Sequence, residues 1–418
     1  MSTDTEQVTR QRSETDRLIH AANGVLRLEP AWVARDWLPP GRRLGITESA
    51  YDVGDRGFIC ERWLGSTTRA DNRVGPDDEG LSYIVDEHDN RVTLADAVKS
   101  APDLVMGARY AATHSGLGRL PKIYDFGARI PYHIHPRLQH SRRVGRNPKD
   151  EAYYFPSGVD LGAHPETFFG VHPWIAREKA YEVLLPYLQD WNSDAILRHS
   201  RGFVNVPGEG FHLPSGILHA PGTALTIELQ EDSDCLSMFQ ALNAGKIISK
   251  ELLFKDVSAE DRAKYGERYL LEWVDWDANG DPYFYENHHT PPLAIIDEPG
   301  VRQEWIYYNT TKFTGKRLLL SPGTRHVTQE QGVYSLLIWR GCGAVDGHEV
   351  IGGEPGHDEL LIVHDRAVRP HEFVNTGTTD LEVITFFGPD IHTEVPSVAS
   401  ITDLHPPHQP PAIRKHAT

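Results

Sequence analysis

A chain of 418 residues exceeds what one hydrophobic core usually supports, so two domains are expected. Its 42 Lys plus Arg stand against 59 Asp plus Glu, a formal net charge of -17 that repels nucleic-acid phosphates and argues against DNA or RNA as a partner. Cys60, Cys235 and Cys342 are too widely spaced for a disulfide framework or a CxxC zinc site; with a polar, charged start and no run of membrane-spanning length, this predicts a soluble cytoplasmic protein.

In chain order, residues 5–23 set Val8, Leu18 and Ile19 among charged side chains, which predicts an exposed N-terminal helix. Between residues 44 and 125, turn signals such as Asp55-Arg56-Gly57 separate short strand-like runs, while VTLADAVKSAPDLVMG reads as a short helix. Residues 120–155 and 202–229 alternate apolar and polar side chains, the pattern of a β-sandwich or barrel. The insertion between them contains AREKAYEVLLPYLQDW, whose Ala180, Val183, Leu184, Tyr187 and Leu188 fall at helical spacing and predict a helix packed on the sheet. Residues 258–271 suggest another helix. A second β-rich block spans 304–387, where YSLLIWRG, ELLIVHD and LEVITFFG read as buried strands, so the architecture is used twice. The ending LHPPHQPPAIRKHAT is rich in Pro and His and is expected to form a loose or docked tail without function.

The chemistry concentrates in the first β-rich block. In PYHIHP, strand alternation puts His133 and His135 on one face, so two imidazoles converge. Glu151 opens the next strand signal in KDEAYYF, and His219 follows the Pro214-Ser215-Gly216 turn in HLPSGILHAPG. Three imidazoles and one carboxylate make a first shell suited to Zn, Mn, Fe, Co or Ni.

These segments resemble the cupin superfamily and, within it, the type I mannose-6-phosphate isomerases. GRLPKIYDFGARIPYHIHP is similar to the family's stretch around its QVHP metal motif, KDEAYYF to its KTExWY motif, and FHLPSGILHAPGTALTIELQEDSD to its PAGTxHAxxxGxxxxEIQxxSD segment. ERWLGS, at residues 61–66, matches its upstream ExWxxS more weakly. The resemblance implies a mainly β fold of two cupin (double-stranded β-helix, jelly-roll) domains with helical insertions. The expected division is an N-terminal helical extension (1–43), a metal-binding cupin with a helical insertion (44–245), a connector (246–300), a second cupin without metal (301–395) and the Pro/His-rich tail (396–418). In the second cupin Glu359, His371 and Asn375 fit the fold, but Gly353-Glu354-Pro355 stands where an HxH would be, and His348, His357 and His364 are the remaining candidate ligands there.

By position, His135, Glu151 and His219 match metal ligands of the family, and His133 replaces its usual glutamine. Lys149 matches the lysine beside metal and substrate. The arginine that the family carries shortly after its SD is missing, because Cys235, Leu236, Ser237 and Met238 follow Ser233-Asp234. The implied activity is a metal-dependent aldose-ketose isomerisation of a sugar or sugar phosphate through an enediol, with one divalent ion, zinc first among the candidates. Lys149 would transfer protons, its pKa lowered by burial and the neighbouring ion. Arg142 and Arg143 in SRRVGRN, with Arg146, would bind phosphate in place of the missing arginine. Tyr153, Glu228 and Gln230 would line the same cavity. A metal-dependent cupin dioxygenase and a non-catalytic sugar-binding cupin remain alternatives. The expected partner is a small sugar or sugar phosphate, with a homodimer compatible and neither nucleic acid nor membrane involved.

Overall fold

Alternating strands with two usable faces build two packed sheet pairs in the computed structural model, which describes residues 3–398 except 87, 89, 177 and 178. The tail expected over 396–418 therefore lies, from residue 399 onward, outside the described residues. The first pair joins a seven-stranded and a five-stranded sheet. The seven-stranded order is His289–Thr290, Gly210–Leu213, Glu151–Tyr154, Thr226–Gln230, Leu120–Tyr124, Phe58–Trp63 and Ala31–Arg35. The five-stranded order is Arg201–Val204, Glu166–Phe169, His219–Ala220, His133–Ile134 and Ser237–Met238. The second pair joins a nine-stranded sheet, which includes Thr314–Leu320, Tyr334–Arg340, Glu359–Ile362 and Leu381–Phe387, to a four-stranded sheet that includes His371–Asn375 and Cys342–Val345. Neighbouring strands run antiparallel.

Strand Thr226–Gln230 shows how the pairs meet. Ile227 and Leu229 face outward and, with Ile123, Ala152 and Tyr154, pack on Ile306, Tyr307, Leu337, Ile384 and Phe386 of the second pair. Burial of this shared apolar face is the main force holding the pairs together. The same strand turns Glu228 into the cavity between its own two sheets. Arg62 crosses the interface: its guanidinium grips Asp358 at 2.7 and 2.6 Å and Glu359 at 2.9 Å, and the Gly65 N–H donates to Glu359 at 2.7 Å. Burial nevertheless pushes the Glu359 carboxyl up to about 7, against the pull of Arg62.

The N-terminal segment is more than a helix. After the helix Thr3–Ala21, strand Val25–Glu29 pairs with Glu359–Ile362 of the second sheet pair, and Ala31–Arg35 then pairs with Phe58–Trp63 of the first. Pro30, which cannot donate to a ladder, stands at the crossing. VTLADAVKSAPDLVMG forms two helices, Leu94–Ser100 and Pro102–Met106, because Pro102 starts a new helix at its first turn. Their Leu94, Ala97, Val98, Val105 and Met106 join the core of the second sheet pair, to whose nine-stranded sheet the preceding strands Tyr83–Val85 and Arg91–Thr93 also belong.

The insertion helix is likewise broken, into Ala180–Val183 and Leu185–Asp190, with Pro186 in the first turn of the second piece. Leu184 and Leu188 pack with Leu270 and Leu271 over the outer face of the five-stranded sheet, against Ile134, Leu218 and Ala220. Residues 258–271 form Ala259–Tyr265, capped by Ser258, and Arg268–Leu271. Among the described residues no helix is long and apolar enough to cross a membrane.

Candidate metal centre

Strand His133–Ile134 lies between His219–Ala220 and Ser237–Met238, with His219 directly opposite His133. His135 follows on the same face as His133, and Glu151 enters from the facing sheet. Among the described residues one group of His, Cys, Asp or Glu side chains is drawn together as metal ligands are: His133, His135 and His219, whose ring nitrogens lie within 4.8 Å of one another. Glu151 sits against them, one carboxylate oxygen 3.0 Å from His135 Nε2 and the other 2.9 Å from His219 Nε2.

The imidazoles are oriented by the backbone. Nδ1 of His133 is 2.7 Å from the Pro131 carbonyl, that of His135 is 2.8 Å from the Cys235 carbonyl, and that of His219 is 2.9 Å from the Ile217 carbonyl. A carbonyl only accepts, so each Nδ1 carries the hydrogen and each Nε2 presents a lone pair, the arrangement that metal-binding histidines adopt. With the hydrogen on Nδ1, the buried Nε2 atoms of His135 and His219 and the Glu151 oxygens they face are all acceptors, so no hydrogen bond joins them. Orphaned acceptors of this kind are costly unless something coordinates them. Burial holds His133 well below the ordinary imidazole range, and burial with the Lys149 charge takes His135 down to about 3, so both are neutral and able to ligate. Burial alone would raise Glu151, but Lys149 and the adjacent imidazoles hold it well below the usual carboxylate range. The Tyr153 hydroxyl donates to the same carboxylate.

From Glu151 a chain of ion pairs runs round the cavity. Lys149 Nζ is 3.2 Å from Glu151 and 3.6 Å from Glu228; Lys122 Nζ is 3.2 Å from Glu228 and 3.8 Å from Glu61. Arg35 binds Glu61 at 2.6 and 3.2 Å and Asp234 at 3.2 and 3.4 Å. Asp234 precedes Cys235, whose carbonyl orients His135. Burial lifts the Glu228 carboxyl to about 7, with Glu151 and Glu61 adding to the rise and Lys122 and Lys149 opposing it. Lys149 moves the other way from the sequence expectation. Burial would lower it, but Glu151, Glu228 and Asp234 outweigh that and hold it protonated in the metal-free chain.

The cavity is narrow, with ≈ 30 Å³ open to a water-sized group. This chain has the mannose-6-phosphate isomerase fold. Similar solved structures include the mannose 6-phosphate isomerase from Bacillus subtilis (15% identity, 87% of this chain and 99% of that chain, TM-score 0.59). A zinc-bound mannose 6-phosphate isomerase (12% identity, 88% and 100%, TM-score 0.58) and a single-site variant of the phosphomannose isomerase from Salmonella typhimurium (12% identity, 88% and 100%, TM-score 0.57) superpose equally well. At these identities the likeness is one of fold. No family model matches the sequence, and no curated protein sequence matches it.

Within the mannose-6-phosphate isomerase fold the residues singled out in the sequence separate. His133, His135, Glu151, Lys149, Tyr153 and Glu228 all line the cavity. Gln230 does not; its amide donates to the carbonyls of Glu231 at 3.0 Å and Ser233 at 2.6 Å, tying the turn before Asp234. The SRRVGRN arginines lie outside as well. Arg143 forms a bidentate pair with Asp261 at 2.7 Å, Arg146 binds Asp71 and Asp256, and Arg142 is exposed on the short 3-10 helix Arg142–Val144. In the second sheet pair Glu359 is occupied by Arg62, His371 Nε2 meets the Tyr334 hydroxyl at 2.5 Å, and the Asn375 amide donates to the carbonyls of Leu320 and Thr379. Arg35, Lys122 and Asp234 were not legible as cavity residues: each acquires its role by pairing across strands, and Arg35 and Asp234 are 199 positions apart. The SD of the DSD stretch was the available signal for Asp234, and no local pattern marks Arg35.

Proposed function

We propose that the chain is a metal-dependent aldose-ketose isomerase that interconverts an aldose and its ketose through an enediol. The observation that carries this reading is the buried, partnerless Nε2 pair of His135 and His219 facing Glu151, in a cavity that also holds Glu228 and Lys149. His133, His135, Glu151 and His219 would hold one divalent ion, zinc first among Zn, Mn, Fe, Co and Ni. When bound, such an ion polarises the C1 and C2 oxygens of a sugar as a Lewis acid.

In this reading Glu228 is the base. Its carboxylate takes the C2 hydrogen of the aldose as a proton and returns a proton to C1, while the hydroxyl proton passes from O2 to O1. A carboxyl whose pKa lies near neutrality suits both halves of that transfer. Lys149, kept protonated by its three acidic neighbours, supplies a charged hydrogen-bond donor to the oxygen where negative charge develops. Tyr153 fixes the Glu151 carboxylate, and the charge chain through Lys122, Glu61 and Arg35 keeps Glu228 and Lys149 in place. We further propose that residues 44–245, with strand Ala31–Arg35 added and the helices at 94–106 lent to the other core, contribute most of the catalytic cupin and 246–300 a connector, while 301–395 contribute most of a metal-free cupin that covers the outer face of the seven-stranded sheet.

The test is elemental analysis of the purified protein, followed by isomer formation and exchange of the substrate C2 hydrogen with solvent, with His135→Ala as control. Metal-dependent exchange that is lost in His135→Ala supports the reading. Bound iron with oxygen uptake and no isomer would replace it with the dioxygenase alternative.

A further inference from the structure

The lining of the cavity bears on what kind of sugar it accepts. Its cations are Arg35, Lys122 and Lys149, and its carboxylates are Glu61, Glu151, Glu228 and Asp234. Each cation is already engaged. Lys122 lies between Glu228 and Glu61, and Lys149 between Glu151 and Glu228. Arg35 directs Nε and both terminal nitrogens at Glu61, Asp234 and the Asn72 side-chain oxygen, which consumes its fork. A phosphate ester needs donors of this type left free, most effectively the paired N–H groups of an arginine.

The entrance is built differently from the floor. Of the residues lining the cavity, Trp37 and Leu236 are the two that are not buried, so the opening lies beside them. Phe126, Ile130, Pro221 and Met238 are further apolar lining residues, buried behind the apolar rim of Trp37 and Leu236. A substrate held at its carbonyl end among the histidines extends its far end toward that rim. A dianion placed there would lose its hydration against apolar walls with no free arginine or lysine in return, because the cations of the lining are already paired. The C–H faces of an uncharged sugar, by contrast, pack on an indole and aliphatic side chains while its hydroxyls reach the ion-paired floor.

Resting on the isomerase reading above, we infer that this site takes an uncharged aldose or ketose and selects against its phosphate ester. The SRRVGRN arginines are not part of the lining: Arg143 and Arg146 are committed to Asp261, Asp71 and Asp256, and Arg142 is exposed outside the cavity. The determinants of specificity are thus the closed pairing of Arg35 with Glu61 and Asp234, and the apolar rim at Trp37 and Leu236.

The test uses the full chain loaded with the metal found by elemental analysis. Calorimetry with the open-chain, non-isomerisable probes mannitol and glucitol is compared with their 6-phosphates at pH 8, where the esters are dianions. The hexitols should bind at least about tenfold more tightly than the esters. Leu236→Lys, which sets an ammonium at the half-exposed entrance in place of an apolar rim side chain, should shift the ester-to-hexitol affinity ratio toward the ester by about tenfold or more, chiefly by tightening ester binding. Esters that bind as tightly as the hexitols, absence of hexitol binding, or an ester affinity unmoved by Leu236→Lys would each overturn the inference. Solvent exchange at C2, followed in parallel with mannose, fructose and their 6-phosphates, reports on the isomerase reading separately. Exchange without discrimination removes only the inference, and selective hexitol binding without exchange removes only the isomerase.

Discussion

Replacing Glu228 by Gln keeps the side chain's size and removes its ability to carry a proton, and the structure sets both the size and the pH signature of the loss. The carboxyl is surrounded by Lys122, Lys149, Glu61, Glu151 and the hydroxyl-bearing rings of Tyr124 and Tyr153, and in the metal-free protein burial takes it up to about 7. A cation bound beside Glu151 adds positive charge and moves the midpoint downward, so the activity midpoint of the loaded enzyme lies at or below about 7. A base acts when ionised, and activity therefore rises with pH. Between one unit below and one unit above the midpoint the ionised fraction grows from about 0.09 to about 0.91, giving a limb of roughly tenfold in kcat/KM. Glu228→Gln should lose about 10²- to 10⁴-fold in kcat, the usual contribution of a positioned base, and the residual rate should be flat across that limb. The assay is C2-hydrogen exchange by proton NMR in deuterated buffer from pH 5 to 8, with metal content measured on each sample. Full exchange in Glu228→Gln at wild-type metal occupancy would refute the assignment.

Two further outcomes follow from buried charge. Arg62→Met strands Asp358 and Glu359 between the sheet pairs and should lower stability by about 3–5 kcal/mol, read as a drop in urea midpoint; adding Asp358→Asn and Glu359→Gln should recover most of it. An unchanged midpoint in the single variant would show that the cross-interface pair is solvated. Glu61 sits at about 2 in the folded chain against an ordinary 4.5, so its contribution is fully present above the unfolded value and disappears as pH falls toward 2. Glu61→Gln should therefore be less stable than the parent at pH 7, the gap closing in acid; a gap that widens as pH falls would contradict the sign.

The proximity of the candidate ligands was readable because each member carries a local signature. The HxH of PYHIHP needs only strand alternation, Glu151 opens a strand, and His219 follows a Pro-x-Gly turn, so short-range rules place all four. The twofold use of the β-architecture was readable for a similar reason, since 120–155 and 202–229 alternate with period two and 304–387 contains short apolar runs of buried-strand length. What escaped depends on distant partners. Nothing local tells that Val25–Glu29 would pair with Glu359–Ile362, or that Leu94–Met106 would fill the core of the second sheet pair. The SRRVGRN arginines invited a phosphate reading, but Asp261 on a helix more than a hundred positions away, together with Asp71 and Asp256, neutralises two of them. Lys149 illustrates the limit on electrostatics: burial alone predicts a lowered pKa, and only the assembled ring of Glu151, Glu228 and Asp234 reverses the sign.

The most direct test of the account is metal content and C2-hydrogen exchange measured on the same preparations of the wild-type chain and of His219→Ala. The account predicts close to one divalent ion per wild-type chain with exchange that stops on chelation and returns on readdition, and neither ion nor exchange in a folded His219→Ala. Exchange that persists in metal-free protein, or a wild-type chain that holds no divalent ion, would contradict it.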